Sequence, residues 1–353
     1  MHVVAPAADG VPTEDELEGV TVERFRYAPR RYEKLAYTGN MAQDVATSWS
    51  ARLALVGYFG SDFVRSVGAR RSFEPDVLHA HWWFPSGVVG TWLSGLSHKP
   101  LVTTLHGTDV RLAKRIGMSR PLMRNVLSKS SRVTTVSTWL ASEVSSLVSV
   151  PRPEVAPMPV ATELFEPGGS REASRFLFAG RLNRQTGLEH LLRAFAAMKR
   201  PAMLDVVGDG IRSNELKLLA SQLGVNDRIA WHGQLNQLQL VRLYQNATAV
   251  VVPSTDEGLG LVAAEALLCE TPVIAFRSGG LTDIIKDGTT GVLVPPGDTA
   301  ALAAALDNLL ASPAHAAELG RAGRLFALSA FAPESAASRY ANIYRQVLAE
   351  RTA

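Results

Sequence analysis

The sequence has few of the features that mark particular protein classes. It contains one cysteine, Cys269, in 353 residues, which excludes an internal disulfide and is typical of a reducing compartment. No apolar run approaches the roughly 20 residues of a membrane-spanning helix. The first residues lack the charged and apolar regions of a signal peptide. We therefore expect a cytoplasmic protein without a membrane-spanning segment.

The sequence also lacks a strong charge of either sign. Its 36 basic and 33 acidic residues leave a net charge of +3, and it carries no nucleic-acid-binding motif, so no nucleic-acid partner is expected. Basic residues are densest in one early segment, where aromatic residues interrupt them: Arg24, Phe25, Arg26, Tyr27, Arg30, Arg31, Tyr32 and Lys34. This segment is either a solvated loop or a patch for peripheral contact with anionic lipid at the inner face of the membrane, or with an anionic acceptor.

What the sequence does contain is a regular alternation of short apolar runs with longer helical patterns, which is typical of parallel βαβ units. The predicted strands are His2–Ala5, Val20–Arg24, Val77–His81, Leu101–Leu105, Val133–Val136, Glu154–Met158, Phe176–Ala179, Leu204–Val207, Ile229–Trp231, Ala249–Val252, Val273–Phe276 and Val292–Val294. The predicted helices include Leu188–Met198, Glu215–Leu223, Asn236–Gln245, Thr299–Leu310 and Pro333–Leu348. The pattern predicts an α/β protein with two Rossmann-like, doubly wound parallel sheets that face a central cleft.

The length is typical of two domains. The best candidate for a linker is Pro157–Ser170, which contains three prolines and two glycines. We predict an N-terminal, acceptor-side domain over residues 1–160 and a nucleotide-binding domain over residues 161–332. Residues 333–353 are expected to form a C-terminal helix that packs back toward the first domain.

The most informative stretch is a predicted strand followed by a glycine-rich loop and a helix that begins near Gly260. A helix that starts beside a strand end offers unpaired backbone N–H groups and a positive dipole end, which suit phosphate. Glu257 and Glu265 flank this start, and carboxylates suit hydroxyl groups rather than phosphate. Either they are solvated surface acids, or the stretch is a nucleotide-sugar site. In the second case the backbone contributors are Gly258, Leu259, Gly260 and Leu261.

Other positions suit the same ligand. Arg181 follows a predicted strand and Gly180, and a guanidinium there can clamp a diphosphate through two hydrogen bonds. The alternative is a surface arginine in a loop. Loops near Gln234, Leu235 and Ser254 are expected to select the base and the sugar. His79 and His81 share one face of a predicted strand, where packing or acceptor contacts are expected because no third metal ligand is evident.

Several longer motifs follow one another in the order and spacing of one family. Residues 176–298 contain FAGRLNRQTGLEHLLRAF, LDVVGDG, IAWHGQL, EGLGLVAAE, TPVIAFRSGGLTDII and DGTTGVLVPPGD, and the first half contains DVLHAHWWFPSG, LVTTLHGTD and VTTVS. With these motifs the chain resembles the retaining glycosyltransferases of family 4, which have the GT-B fold. The resemblance implies that His106 lies beside the donor sugar, that Glu257 also contacts the sugar and that Glu265 holds the ribose.

The chain departs from the family pattern in two places that bear on activity. The family usually has a lysine where this chain has Thr186, so the diphosphate site is expected to lack one cation. Family members also begin with a strand, a Gly-Gly loop and a helix, whereas this sequence starts within the strand that follows. We therefore expect an N-terminally truncated first domain with two unpaired strand edges, and a natural start upstream of Met1.

These observations favour a retaining glycosyltransferase that moves a sugar from a nucleoside-diphosphate sugar to a hydroxyl acceptor, which is a glycan, a lipid-linked molecule or a small molecule. His106, Glu257 and Arg181 are the expected catalytic residues. No metal and no cofactor is expected, and the chain has no Asp-x-Asp pair. Two alternatives remain open. One is a non-catalytic nucleotide-sugar-binding protein or inactive fragment, and the other is a different reaction, such as epimerisation of the nucleotide sugar.

Overall fold

The computed structural model describes residues 1–37, 41–169, 171 and 174–352. These residues form two compact units. Unit 1 consists of Met1–Thr135, Ala141–Glu154 and Asn342–Ala353, and unit 2 consists of Val136–Leu140 and Val155–Ala341. None of the described helices is both long enough and apolar enough to cross a membrane.

The first half begins with three strands that have no helix between them, and from there on helices and strands alternate as the apolar pattern predicts. The strands are β1 (His2–Pro6), β2 (Glu14–Leu17), β3 (Val20–Phe25), β4 (Leu78–His81), β5 (Leu101–Leu105), β6 (Arg132–Thr135) and β7 (Glu154–Val155). The helices are α1 (Met41–Thr47), α2 (Trp49–Phe73), α3 (Ser86–Ser97), α4 (Thr108–Arg115), α5 (Arg120–Lys129) and α6 (Thr138–Leu147). Strand β2 was not predicted, because its residues are charged or exposed and show no apolar alternation.

These strands form two sheets. One has the order β1-β3-β2, in which β1 and β3 are parallel and β2 is antiparallel to β3. The other has the order β4-β5-β6-β7, with β4, β5 and β6 parallel. Strands β1 and β4 are therefore end strands of their sheets. Helix α2 packs on the first sheet through Ala54 and Tyr58, and the Tyr58 ring meets Phe25 edge to face at 5.0 Å.

The basic and aromatic segment of the first half is only partly a surface. Phe25 and Tyr27 are buried in the core of unit 1. Arg24 donates to the carbonyl oxygen of Pro12 at 2.8 Å, and Arg26 forms an ion pair with Glu33 at 2.7 Å. The expectation of a continuous exposed patch is thus wrong for Phe25 and Tyr27. The exposed residues Arg30, Arg31 and Tyr32 form a smaller basic and aromatic surface.

Unit 2 is built on one continuous sheet. The strands are β8 (Arg175–Ala179), β9 (Met203–Val207), β10 (Ile229–Gly233), β11 (Ala249–Val252), β12 (Val273–Phe276) and β13 (Gly291–Val294). The helices are α7 (Leu188–Ala197), α8 (Ser213–Gln222), α9 (Gln237–Asn246), α10 (Leu261–Leu268), α11 (Leu281–Ile284), α12 (Thr299–Ala311), α13 (Pro313–Phe331) and α14 (Pro333–Thr352). The end of α14 belongs to unit 1.

The order of this sheet is β10-β9-β8-β11-β12-β13, and all neighbouring pairs are parallel. Four phenylalanines fill its core with almost no exposed surface: Phe176, Phe178, Phe195 and Phe276. The chain extends the sheet from β8 first in one direction and then, from β11, in the other. Sheets of this kind bind ligands beside the carboxyl ends of the strands where the direction changes, which here lies between β8 and β11.

Candidate functional site

The predicted donor-binding residues lie along one edge of the sheet of unit 2. Gln234 and Leu235 follow β10, Gly180 and Arg181 follow β8, and Ser254 lies in the loop after β11. Because the strands are parallel, their carboxyl ends meet at the same edge. The structure therefore brings these predicted residues to the edge where such a sheet binds its ligands.

The loops at this edge approach one another so closely that two positions require glycine. Gly279, with φ of +58°, lies where a Cβ atom would be 2.2 Å from the carbonyl oxygen of Glu257. Gly208, with φ of +123°, would place a Cβ atom 1.9 Å from the carbonyl oxygen of Gly180. Side chains at either position would push the loops apart. The edge is therefore defined by backbone packing.

The start of α10 has the form that suits an anion. Gly258, Leu259 and Gly260 are buried, and Gly260 has φ of +98°. The N–H of Ala263 donates to the carbonyl oxygen of Gly260 at 2.9 Å. The N–H groups that precede Ala263 are those that a helix start leaves without an acceptor in the helix. They are the groups that the sequence predicts for a diphosphate.

The loop that holds this start in place includes Glu257. Its carbonyl oxygen accepts a hydrogen bond from the N–H of Gly280 at 2.8 Å. The carbonyl oxygen of Gly258 accepts one from the hydroxyl of Ser137 at 2.6 Å. These bonds fix the backbone between β11 and α10, so the orientation of its N–H groups does not depend on a ligand.

Arg181 and Thr186 lie in the loop between β8 and α7. The side chain of Arg181 is exposed, and the structure shows no ion pair for it within the described residues. The hydroxyl of Thr186, the residue that replaces the family lysine, donates to the carbonyl oxygen of Arg181 at 2.5 Å. Thr186 thus supplies no charge, but it fixes the backbone from which the Arg181 guanidinium extends.

Glu265 is held by a buried tyrosine. The hydroxyl of Tyr244 on α9 donates to Oε2 of Glu265 at 2.7 Å. Burial raises the pKa of the Glu265 carboxyl, and the hydrogen bond from Tyr244 opposes this rise. The Tyr244 ring is fully buried and packs edge to face against Phe165. One carboxylate oxygen is therefore fixed in position by the protein.

In unit 1, His106 follows β5, and its backbone is fixed by a buried carboxylate. Oδ1 of Asp109 accepts hydrogen bonds from the N–H groups of His106 at 3.1 Å and Gly107 at 2.9 Å. Oδ2 accepts one from the N–H of Trp83 at 3.2 Å. Burial raises the pKa of Asp109, and these N–H donors oppose the rise. Asp109 thus ties the loops after β4 and β5 together.

The ring of His106 belongs to a cluster of three imidazoles. Nε2 of His106 lies 2.9 Å from Nδ1 of His81, and the His81 ring stacks on that of His79 with centroids 4.5 Å apart. His79 in turn contacts the hydroxyls of Tyr344 and Thr104, each at 2.7 Å. Burial, reinforced by the neighbouring rings, lowers the pKa of His79 and that of His106 to about 3.

The three rings of this cluster contact one another directly. Among the described residues, no group of three or more His, Cys, Asp or Glu side chains is placed to hold a metal ion. Nδ1 of His81 and Nε2 of His106 are only 2.9 Å apart, so the two ring nitrogens are in direct hydrogen-bond contact. The cluster is therefore a hydrogen-bonded and stacked array of neutral rings.

The sequence singled out His81 for packing or acceptor contacts but not for its contact with His106, and it gave no role to three residues that hold the others: Asp109, Tyr244 and Tyr344. Asp109 was within the motif LVTTLHGTD, and its place in the first turn of α4 was the available signal. Tyr244 lies 21 residues from its partner and Tyr344 lies 265 residues from its partner. Local periodicity carries no information at such separations.

Comparison with known proteins identifies the family. Residues 1–161 match the family model described as glycosyl transferase 4-like domain, and residues 161–326 match that described as glycosyl transferases group 1. The chain is 34% identical to D-inositol 3-phosphate glycosyltransferase of Acidothermus cellulolyticus, across 83% of this chain and 72% of that relative. It is 30% identical to glycogen synthase of Mycobacterium tuberculosis, across 80% of this chain and 71% of that relative.

Solved structures confirm the predicted α/β, GT-B architecture. Sucrose-phosphate synthase from Thermosynechococcus elongatus matches with a TM-score of 0.81 and 25% identity, across 99% of this chain and 88% of that one. HepE of Anabaena, solved with UDP, matches with a TM-score of 0.76 and 19% identity, across 92% of this chain and 86% of that one. The chain therefore belongs to the glycosyltransferases of the family 4 type, enzymes with the GT-B fold.

Proposed function

We propose that this glycosyltransferase takes its sugar from a nucleoside-diphosphate sugar and passes it to a hydroxyl acceptor with retention of the anomeric configuration. The observation that carries the proposal is the sheet edge of unit 2. There the start of α10, the exposed guanidinium of Arg181 and the anchored carboxylate of Glu265 occupy segments that follow adjacent strands. This set suits one ligand that combines a diphosphate with a ribose.

Each group has a distinct task in this proposal. The N–H groups at the start of α10 and the Arg181 guanidinium stabilise the charge that develops on the leaving diphosphate. Glu265 accepts hydrogen bonds from the ribose hydroxyls. His106 and Glu257 orient the sugar. The loops that contain Gln234, Leu235 and Ser254 select the base and the sugar. The chain itself supplies these groups, so the proposal includes no metal and no cofactor.

The proposed retention rests on the resemblance to family 4, and the carboxylate beside His106 bears only on whether a covalent intermediate forms. Asp109 accepts three backbone N–H groups, so it is a structural acceptor rather than a free nucleophile. We therefore propose attack on the face that the diphosphate leaves, instead of a covalent glycosyl-enzyme. The acceptor oxygen bonds to the anomeric carbon, the bond to the diphosphate breaks, and the acceptor proton passes to a diphosphate oxygen.

The test is a transfer assay with defined substrates. UDP-glucose is the first donor, because a HepE structure names that ligand. Inositol 3-phosphate and an α-glucan are the first acceptors, since the named relatives act on inositol 3-phosphate or make glycogen. We expect UDP release that depends on an acceptor, an axial anomeric bond by NMR, and a drop in kcat of about 100-fold in Arg181→Ala. Donor binding without turnover across a donor panel would instead identify a non-catalytic binding protein.

Contact with an anionic lipid surface is a secondary part of the proposal. It is supported by the exposed residues Arg30, Arg31 and Tyr32, since basic and aromatic side chains bind such surfaces together. Contact with a lipid surface would also bring the enzyme to a lipid-linked acceptor. In a separate sedimentation assay, the protein should sediment with vesicles that contain phosphatidylglycerol and not with neutral vesicles. Equal sedimentation with both would refute the lipid contact.

A further inference from the structure

Two loops of unit 2 that carry proposed donor-binding groups lie side by side. The β8–α7 loop (residues 180–187) carries Arg181, and the β11–α10 loop (residues 253–260) leads to the N–H groups at the start of α10. Strands β8 and β11 are parallel neighbours in the sheet, so their loops begin next to each other at one edge. A diphosphate that contacts both loops must span the distance between them. A group that fixes this distance therefore affects how well a diphosphate binds.

Two contacts between the loops involve only backbone atoms. The N–H of Thr255 donates to the carbonyl oxygen of Gln185 at 3.1 Å. Gly187, with φ of +71°, lies so close to the other loop that a Cβ atom would be 2.0 Å from the carbonyl oxygen of Pro253. These contacts hold the last residues of the β8–α7 loop, whereas Arg181 lies near its beginning.

A third contact uses the side chain of Gln185. Its Nε2 donates to the carbonyl oxygen of Asp256 at 2.6 Å. A carbonyl oxygen only accepts hydrogen bonds, so the amide must present its nitrogen to this atom, and a carboxylate could not replace it. Asp256 comes directly before Glu257 and Gly258. The bond therefore acts on the segment that leads into the start of α10.

The backbone of Arg181 is connected to the residues around Gln185. The N–H of Asn183 and the hydroxyl of Thr186 both donate to the carbonyl oxygen of Arg181, at 2.9 and 2.5 Å. Oδ1 of Asn183 accepts a hydrogen bond from the N–H of Thr186 at 3.1 Å. A shift of Gln185 away from Asp256 would therefore also move the backbone that carries the Arg181 guanidinium.

We propose that Gln185 is a positioning residue that clamps the β8–α7 loop to the β11–α10 loop, and that the resulting spacing makes the site prefer a diphosphate to a monophosphate. A diphosphate reaches the Arg181 guanidinium and the start of α10 with different phosphate groups, whereas a monophosphate has one group for both. This role rests on the proposed function, in which these two features hold the donor diphosphate.

Calorimetric titration of the full chain with UDP and with UMP tests the clamp. Gln185→Met keeps the approximate size of the side chain and removes its N–H donors. We expect the affinity for UDP to fall by about three- to tenfold, as the loss of one hydrogen bond predicts. The affinity for UMP should change less, so the ratio of the two affinities should fall. Urea unfolding of the variant reports whether it is folded.

Gln245→Met is the matched control. Nε2 of Gln245, on α9, donates to the carbonyl oxygen of Glu166 at 2.8 Å, so the substitution removes the same kind of hydrogen bond elsewhere in unit 2. Both nucleotide affinities should stay at their wild-type values in this variant. A loss of UDP affinity equal to that in Gln185→Met would mean that any such bond stabilises the site through the fold as a whole, and the clamp would be refuted.

A double-mutant cycle shows whether Gln185 acts through Arg181. Arg181→Ala removes a charged donor and should weaken UDP binding by at least about tenfold. Because the guanidinium is then absent, adding Gln185→Met should cost less affinity than it does in the wild type. Equal losses in the two backgrounds, or an unchanged ratio of UDP to UMP affinity in Gln185→Met, would overturn the proposal.

A failure of the proposed function would give a different result. If UDP does not bind, GDP with GMP and ADP with AMP replace UDP with UMP in the titrations. A wild-type protein that binds none of the three diphosphates would refute the donor site, and the clamp with it. Wild-type binding that Arg181→Ala weakens and Gln185→Met leaves unchanged would overturn the clamp alone.

Discussion

The two units hold their candidate residues at strand ends by different means. In unit 2, one continuous six-stranded sheet brings several loops to one edge, and those loops are packed backbone against backbone. In unit 1, the strands form separate sheets of three and four strands, and the candidate histidine is held by side chains. We therefore expect unit 2, the donor half, to be sensitive to added atoms, and unit 1, the histidine half, to be sensitive to lost hydrogen bonds.

The largest effect is expected from Gly279→Ala in unit 2. The added Cβ atom would lie 2.2 Å from the carbonyl oxygen of Glu257, at a residue with φ of +58°. Overpacking and a left-handed backbone each cost about 1–3 kcal/mol. We therefore expect the free energy of unfolding to fall by about 3 kcal/mol, and donor affinity to fall with it, as measured by urea unfolding and calorimetric titration.

Gly68→Ala is the matched control in unit 1. Gly68 lies in α2, and a Cβ atom there would meet no atom within 4 Å. Because alanine favours helix over glycine, this variant should gain about 0.5–1 kcal/mol. If Gly279→Ala and Gly68→Ala changed the free energy of unfolding by the same small amount, backbone packing would not define the sheet edge of unit 2.

The secondary structure of unit 2 was predicted from the sequence more completely than that of unit 1. The strands of unit 2 were located to within two residues, since buried parallel strands give unbroken apolar runs such as Ala249–Val252. The glycine-rich start of α10 was visible for a similar reason, because its signal is local. Strand β2 gave no such signal, and its exposed acidic residues are paired with β3 only in the folded chain.

The candidate site was predictable to the extent that its residues lie in local motifs. Arg181, Glu257 and His106 each follow a strand, and topology alone places such residues at a sheet edge. The residues that fix them could not be found in this way. Tyr344 contacts His79 from the other end of the chain, and such a contact depends on packing that no periodicity encodes.

The second largest effect is expected on the free energy of unfolding and comes from the buried imidazoles of unit 1. The pKa of His79 falls from 6.5 to about 3 on folding. Between these values the unfolded chain binds a proton that the folded chain does not, so the free energy of unfolding falls as the pH falls. The slope for one such histidine is about 1.4 kcal/mol per pH unit.

His79→Gln removes this contribution. The variant should lose stability at pH 6.5 through the contacts with Tyr344 and Thr104, but the difference from wild type should shrink by about 1.4 kcal/mol per pH unit toward pH 5. Urea unfolding at both pH values measures this. A difference that stays constant with pH would mean that His79 is protonated in the folded chain, and the array of neutral rings would be refuted.

The smallest effect tests a side-chain contact in unit 2, where backbone packing otherwise dominates. Tyr244→Phe removes the hydroxyl that donates to Oε2 of Glu265 at 2.7 Å. A freed carboxylate would hold the ribose less well, so the KM for a UDP-sugar should rise by about tenfold, or about 1.4 kcal/mol, while kcat changes less. Tyr58→Phe, at a buried tyrosine of unit 1, should leave this KM unchanged.

The increase in KM should also disappear with a 2′,3′-dideoxy donor, which has no hydroxyls for Glu265 to bind. If Tyr244→Phe raised the KM equally for both donors, the tyrosine would act through general packing, and the donor half would depend on its backbone alone.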